Sequence, residues 1–332
     1  MEKSWYSTDR VNRVVLFALL VLVIGSSTVF SDEYRPWTGE YLRVGAGARA
    51  MGMGNAYAAV EGDIFSYYYN PAGLSSMEER QMAISFRYLS MDRYFKDIVL
   101  GSKIGPGASF ALSWINAGTH EIIGRDLNGK PTGTLSDTRN TFGITFSKNL
   151  NRMLSIGFNA KVSTWKLDKD DAKAYGIDLG VLARPLTNLT ASFVVRDLNS
   201  RFTWNSSRWK ERLGSFDGQS IEKEDKFPLF YTVGAAYKTY RDKVLLAATL
   251  EFVEDNPMGI DLGASYRLNR IFTVRTGIYN YTSSDELESG SLTAGFTLRV
   301  TSSISFDYAY LTGSIDNDSI HCISLVMNNA VD

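Results

Sequence analysis

Ser291 to Val300 (SLTAGFTLRV) places Leu292, Ala294, Phe296, Leu298 and Val300 on one face of an extended chain and Ser291, Thr293, Gly295, Thr297 and Arg299 on the other. A period of two is the signature of a β-strand whose faces meet different surroundings. Leu154, Ile156, Phe158, Ala160 and Val162 alternate in the same way with Ser155, Gly157, Asn159, Lys161 and Ser163. So do Ile260, Leu262, Ala264, Tyr266 and Leu268 with Asp261, Gly263, Ser265 and Arg267. Strands of this kind are predicted near 82–90, 94–104, 108–117, 139–149, 153–166, 173–185, 189–198, 228–239, 243–254, 259–268, 271–280, 290–300, 303–311 and 320–327. The chain reads as all-β with fourteen strands, an even number.

The connections differ in kind. Gaps at 105–107, 150–152, 186–188, 240–242, 269–270 and 301–302 read as tight turns, and the first loop, 91–93, is also short. Those at 118–138, 167–172, 199–227, 255–258, 281–289 and 312–319 are mostly longer, polar and rich in Gly, Asn and Asp. Outer-membrane barrels have this asymmetry, with short periplasmic turns, longer external loops, an even strand number and ~10-residue segments facing lipid on one side. The expected architecture is a membrane-spanning antiparallel β-barrel with both chain ends on the periplasmic side. A soluble antiparallel sheet with one wet face would alternate too. Fourteen long strands, however, exceed what a twisted open sheet usually holds without closing or splitting. The polar face also carries Arg87, Lys103, Lys161, Asp178, Arg196, Glu251, Asp261, Arg267, Arg275, Arg299 and Asp307 at strand centres, where they must meet water or an opposite wall. Tyr88, Tyr94, Trp114, Trp165, Tyr175, Tyr237, Tyr266, Tyr279 and Tyr310 fall mostly near strand ends, as interfacial girdles do.

Composition narrows the function. With 35 Lys+Arg against 36 Asp+Glu there is no basic surface to displace counterions from phosphates, so no nucleic-acid partner is expected. One Cys excludes an internal disulfide and a cysteine zinc site. Lys3, Arg10 and Arg13 precede an apolar run, Val14 to Ile24, and then Gly25, Ser26, Ser27 and Thr28. This is the plan of a secretory signal ending near Val29-Phe30-Ser31, and its apolar run is short of the ~20 residues that span a bilayer as a helix. The reading divides the chain into a signal (1–31), an N-terminal segment (32–78) and a barrel (79–328), with the outer membrane of a diderm bacterium as its location and outer-membrane lipids as its surroundings.

Leu42 to Ser76 is not a strand. Gly45, Gly47, Gly52 and Gly54 interleave with Ala46, Ala48, Ala50, Met51 and Met53, and residues 55–60 suit a short helix ended by Glu61-Gly62-Asp63. Small residues allow close approach to surrounding walls, so the segment is expected to plug the lumen. The run Gly47-Ala48-Arg49-Ala50-Met51-Gly52-Met53-Gly54-Asn55-Ala56, followed by Asn70-Pro71-Ala72-Gly73-Leu74, resembles the N-terminal signature of PorV/PorQ-type proteins, a group similar to the FadL family of long-chain fatty-acid transporters. That resemblance implies a fourteen-strand outer-membrane barrel with an N-terminal hatch, in which Asn70, Pro71 and Ala72, with Gly52, Met53 and Gly54, are the gating positions. An Asn-Pro pair also begins ordinary turns, and Gly73 permits a left-handed residue. The chain departs from the pattern in two ways. The last strand, His321 to Met327, is followed by Asn328-Asn329-Ala330-Val331-Asp332 rather than a terminal aromatic, and the external loops are modest. Only 199–227 could hold an extra element, a lid built on Phe202, Trp204 and Trp209.

No enzyme chemistry stands out. His120 and His321 lie far apart, and neither G-x-S-x-G nor H-E-x-x-H occurs. Gly45 to Ala50 fits the loose G-x-G-x-x-A form of a dinucleotide loop but lacks a parallel βαβ setting. Asp168, Asp170 and Asp171 lack the Gly and Glu of a calcium loop and read as a solvated acidic turn. No cofactor or metal is implied. Two functions follow: passive uptake of a hydrophobic or amphipathic small molecule through a hatch-gated lumen, or, as the PorV-like resemblance implies, receipt of secreted protein cargo in a type IX secretion system. A soluble ligand-binding β protein is the third reading.

Overall fold

The computed structural model describes residues 38–89, 91–168, 170–205, 223–239, 241–253, 256–284, 287–312 and 319–329. The signal reading, the first residues of the 32–78 segment and Trp209 lie outside them. The described residues form sixteen strands: β1 (Arg80–Tyr88), β2 (Arg93–Gly105), β3 (Ala108–Arg125), β4 (Pro131–Asn149), β5 (Leu154–Leu167), β6 (Asp170–Leu186), β7 (Leu189–Leu198), β8 (Arg201–Asn205), β9 (Lys223–Lys226), β10 (Phe230–Thr239), β11 (Val244–Val253), β12 (Asn256–Arg267), β13 (Phe272–Ser284), β14 (Leu287–Arg299), β15 (Ile304–Leu311) and β16 (Ile320–Asn329). Each of β1 to β6 pairs antiparallel with the next, β7 with β10, and β10 to β16 in turn; β1 with β16 then closes a ring of fourteen. The remaining two strands, β8 and β9, form a hairpin that pairs with the end of β6.

Burial is inverted relative to a soluble protein. Along β14, Leu292 is 60% exposed while its neighbour Thr293 is 3% exposed. On β4 to β6, Phe142, Ile144, Ile156, Phe158, Ile177 and Leu179 are exposed, whereas Thr141, Thr145, Ser155, Asn159 and Asp178 are buried. The alternating pattern thus turns its apolar side outward and its polar side into the ring. Arg87, Lys161, Asp178, Arg196, Asp261, Arg275 and Asp307 are among the charges that it directs inward, into a polar network of opposite walls.

Three expectations are corrected. Arg267 and Arg299 are exposed at the rim formed by the short turns, because each stands where its strand ends, and Lys103 lies beside the turn after β2. Trp165 and Tyr279 do not belong to an outer girdle. Trp165 donates Nε1–H to the inward Asp137 and Tyr279 lines an interior cavity, while Tyr88, Trp114, Tyr175, Tyr237 and Tyr266 do face out. Most of the long loops are strand. β3 and β4 run on to a turn at 126–130, β5 continues to Leu167 with β6 beginning at Asp170, and β13 continues to Ser284 with β14 beginning at Leu287. These residues lose the apolar alternation because they rise past the apolar band, yet the backbone pairing continues between the partner strands, interrupted by irregularities between Thr119 and Ile122 and between Tyr279 and Thr282. The asymmetry survives as longer hairpins at the rim opposite the short turns.

Candidate functional site

The described residues preceding β1 hold two one-turn helices, α1 (Ala48–Met51) and α2 (Ser66–Tyr69), and two 3-10 turns, Glu40–Arg43 and Pro71–Ser76, whereas 55–60, expected as a short helix, is turn and irregular chain. Its residues touch inward faces around the ring. The Ala48 amide donates to Ser324 Oγ on β16 at 2.8 Å, the Gly54 amide to Thr293 Oγ1 on β14 at 3.0 Å, and Thr190 Oγ1 on β7 to the Ala59 carbonyl at 2.8 Å. Met53, Ile64, Phe65, Tyr67 and Leu74 are buried in a core shared with Ala83, Val99, Ala111, Ala236 and Val326 of the strands.

Glycines on the inward phase of the strands make this fit. A Cβ at Gly277 would lie 2.5 Å from the Gly54 nitrogen, one at Gly263 2.4 Å from the Met53 carbonyl oxygen, and one at Gly157 2.4 Å from the Pro71 carbonyl carbon. Gly295 stands against Gly52. The six residues singled out in the sequence therefore all press on the wall, but on two different sides of it: Gly52, Met53 and Gly54 on β12 to β14, and Asn70, Pro71 and Ala72 on β5 and β6. Asn70 caps the second 3-10 turn, its Oδ1 accepting from the Ala72 amide at 3.0 Å, while its Nδ2 donates to the carbonyls of Ala58 at 2.9 Å and Val181 at 3.3 Å. Asn-Pro here is more than a solvent turn, since Asn70, Pro71 and Ala72 are all buried.

Ion pairs secure the segment at three places. Arg49 donates Nε–H to Asp307 Oδ2 at 2.9 Å, and its two terminal nitrogens donate to Asp63 Oδ2 and Ser305 Oγ, each at 2.7 Å. Burial works against the charge on Arg49, but Asp307 and Asp63 outweigh it and hold the guanidinium above its ordinary pKa. Glu61 accepts from Arg184 on β6 at 2.6 Å. Arg43 pairs with Asp197 and lies 3.5 Å over the Phe230 ring. Asp197 also receives Lys161 at 2.6 Å, and Lys161 reaches Asp178 at 2.7 Å. An extra residue in β7 against β6 at this level turns both Arg196 and Asp197 inward, and Arg196 then pairs with Glu251. Tyr41, Tyr57, Tyr67, Tyr68 and Tyr69 of the segment all have phenol pKa values pushed up by burial.

Above Arg43, at the rim opposite the short turns, lies a cavity of about 380 Å3 walled by Tyr41, Tyr94, Phe95, Arg139, Phe230, Val253 and Tyr279. Beneath Arg43 and Tyr68 the space shrinks to voids of about 20 and 10 Å3, the size of single waters. Phe202 and Trp204 of the β8–β9 hairpin pack with Trp165 and Phe227 beside this cavity.

The sequence reading missed Arg43, Arg139 and the wall glycines as members of the site. The glycines carried a signal, since Gly157, Gly263 and Gly295 all fall on the polar phase of their strands. The remaining candidates have ordinary settings. Asp168, Asp170 and Asp171 lie at the β5–β6 turn, with Asp168 at φ +51°, and Gly45 to Ala50 leads into α1 with antiparallel pairing throughout the ring. His321 Nδ1 is 2.8 Å from the Tyr308 hydroxyl on the outer face, and the His120 ring lies tilted against Tyr94, 4.6 Å between centroids.

No family model matches the chain. No curated protein matches it either. Solved structures do. The toluene transporter TodX of Pseudomonas putida superposes with a TM-score of 0.62 at 12% identity, over 86% of this chain and 97% of that one. The monoaromatic hydrocarbon channel CymD gives 0.62 at 13%, over 87% and 98%. A FadL homologue of Pseudomonas aeruginosa gives 0.55 at 12%, over 85% and 97%. At such identities the likeness is one of fold: a closed antiparallel barrel of fourteen strands of the FadL/TodX type. The resemblance to PorV/PorQ-type proteins finds no support among these matches and rests on the motif residues alone.

Proposed function

We propose that the chain is an outer-membrane transport barrel for small hydrophobic or amphipathic molecules, with residues 79–328 as the wall, 32–78 as a hatch and 1–31 as the export signal. The inverted burial of a closed ring carries this reading. Tyr175, Ile177, Leu179 and Val181 are exposed on β6, and the outward phase continues to Ala183. At ~3.3 Å per residue and a tilt of ~40° that run rises roughly 20 Å along the axis, close to the ~25 Å apolar band of outer-membrane barrels. In water such a surface would be a severe aggregation liability; in lipid it is the solvent-matched face.

The cavity at the long-hairpin rim is the entrance, and the hatch is what a solute must pass. The voids beneath Arg43 are too small for anything but water, so passage requires the segment to shift or the solute to leave before reaching it. Gly52, Met53 and Gly54 on one side and Asn70, Pro71 and Ala72 on the other are the proposed gating contacts. The names of TodX and CymD give those proteins toluene and monoaromatic hydrocarbons as solutes, which supports apolar cargo here. Protein cargo of a secretion system has no comparable support.

Planar-bilayer recording tests the hatch, and whole-cell uptake tests the transport. Intact protein should conduct little, and a variant lacking residues 38–77 should open a steady ion-conducting pore. Diderm cells displaying the intact chain should take up a labelled monoaromatic solute faster than cells without it. Equal uptake by the two would remove the transport reading, and an unchanged conductance after the deletion would remove the hatch.

A further inference from the structure

Arg139, on the inward face of β4, is a cation that keeps hydrogen-bonding capacity in reserve where it lines the open cavity. Arg49 and Arg184 each make three or more side-chain bonds of 2.6 to 2.9 Å. Arg139 makes one contact, to Asp137 Oδ2 at 3.3 Å, and the other oxygen of Asp137 is already taken by Trp165 Nε1 at 2.8 Å. Its Nε is buried without a partner. The guanidinium is nonetheless well fixed in orientation, 4.3 Å from the Trp165 ring centre and 5.6 Å from that of Tyr41. A guanidinium stacked on aromatic faces keeps its N–H donors in its own plane, where they match the two oxygens of a carboxylate.

The group lines the 380 Å3 cavity, its side chain still 19% exposed, with Phe95, Ala117, Phe230 and Val253 as apolar walls and Arg43, Arg93, Glu40, Asp137 and Glu251 as the other charged residues around it. That volume lies in the ~300–1,000 Å3 range of small-molecule sites, which are mostly apolar with few fixed polar groups. A plain hydrocarbon entering here would strip water from a cation that has almost no other partner, an unfavourable exchange. An anion would supply the missing partner.

We propose that Arg139 is the specificity-determining residue of the cavity and that the cavity takes a small aromatic carboxylate, its ring against Phe95 and Phe230 and its carboxylate on the Arg139 fork. The proposal rests on the transport reading for the use made of binding, but binding itself is measured without transport. Trp165 lies against Arg139 and reports on occupancy.

The experiment is a fluorescence titration of the full-length barrel in detergent with benzoate, toluene and acetate, with retention of fold checked by heat-modifiable gel migration. Saturable quenching by benzoate at least tenfold tighter than by toluene or acetate is the expected result. Arg139→Gln should weaken benzoate by about tenfold or more, the worth of hydrogen bonds to a charged group, and leave toluene unchanged. Arg139→Lys should fall between, since it keeps the charge and loses the fork. Toluene binding as tightly as benzoate to the unaltered protein, or no saturable benzoate binding to folded protein, would overturn the proposal without touching the membrane reading. Benzoate binding unchanged in a folded Arg139→Gln variant would overturn it as well.

Discussion

Asn70 Oδ1 occupies the space that a side chain at Gly180 would fill, since a Cβ there would stand 2.1 Å away. A residue of the N-terminal segment and a residue of β6, 110 positions apart in the chain, are thus shaped for each other, and the fit leaves no slack. Gly180→Ala should lower stability by about 1–3 kcal/mol, the usual cost of overpacking. In denaturant unfolding of the micelle-bound protein, Asn70→Ala should be destabilising alone, yet the double variant should lose less than the sum of the singles, because truncating Asn70 relieves part of the clash. Strict additivity would mean that the two residues do not meet.

Arg49 ties the segment to the wall through Asp307 and Ser305. Asp307 is fully buried, so removing its partner strands a charge, and Arg49→Met should cost about 3–5 kcal/mol. The same variant should raise the conductance of the barrel in planar bilayers, because the remaining ties at Glu61 and Arg43 sit elsewhere on the ring. Arg49→Met with Asp307→Asn should recover part of the stability but not the tight closure.

The buried tyrosines of the N-terminal segment set an alkaline limit. Burial raises the phenol pKa of Tyr41, Tyr57, Tyr67, Tyr68 and Tyr69, so the folded state holds these protons to higher pH than the unfolded state does. Their contribution to stability is complete below about pH 10 and is lost progressively as pH rises toward the folded values. Ultraviolet titration at the phenolate band should show a set of tyrosines that ionise only together with unfolding. A single transition at the ordinary tyrosine value with structure retained would contradict this.

A charge placed on the outer face should matter only in lipid. Ile144→Arg lies within the apolar band of β4 and should cost ~2–4 kcal/mol in folding into vesicles if it sits near the bilayer midplane. Leu127→Arg, at the tip of the β3–β4 hairpin where Leu127 is fully exposed, should cost nothing measurable. Folding yields in vesicles of known thickness compare the two directly.

Strand positions were legible because outward-facing and lumen-facing phases impose a period of two; the predicted cores at 139–149 and 189–198 fall within β4 and β7, and 303–311 overlaps β15. Residues 118–138 were misread as loop because Thr119 to Arg125 and Pro131 to Asp137 extend beyond the apolar band, where backbone pairing alone holds the ladder and the side chains carry no rhythm. An extra element on Phe202 and Trp204 was expected within 199–227, but its form, the β8–β9 pair, was not legible for the same reason. The site was less legible than the fold. Asn70 and Gly54 stood out by local composition, but Arg43 and Asp197 meet across 154 positions and Arg49 and Asp307 across 258, distances over which no local pattern speaks. Arg139 looks in sequence like any charge on the polar phase. Only closure of the ring shows which inward charges find partners and which keep donors in reserve.

Site-directed spin labelling along residues 140–146 of β4, in a background with Cys322 replaced by Ser and the protein reconstituted in lipid, tests the placement of the outer face in hydrocarbon most directly. Collision with lipid-soluble oxygen should peak at Phe142, Ile144 and Phe146 and fall at Thr141, Gly143 and Thr145, while a water-soluble nickel chelate should be excluded from the first set. Nickel access at Phe142, Ile144 and Phe146, or an oxygen profile without the two-residue period, would contradict a membrane-embedded barrel.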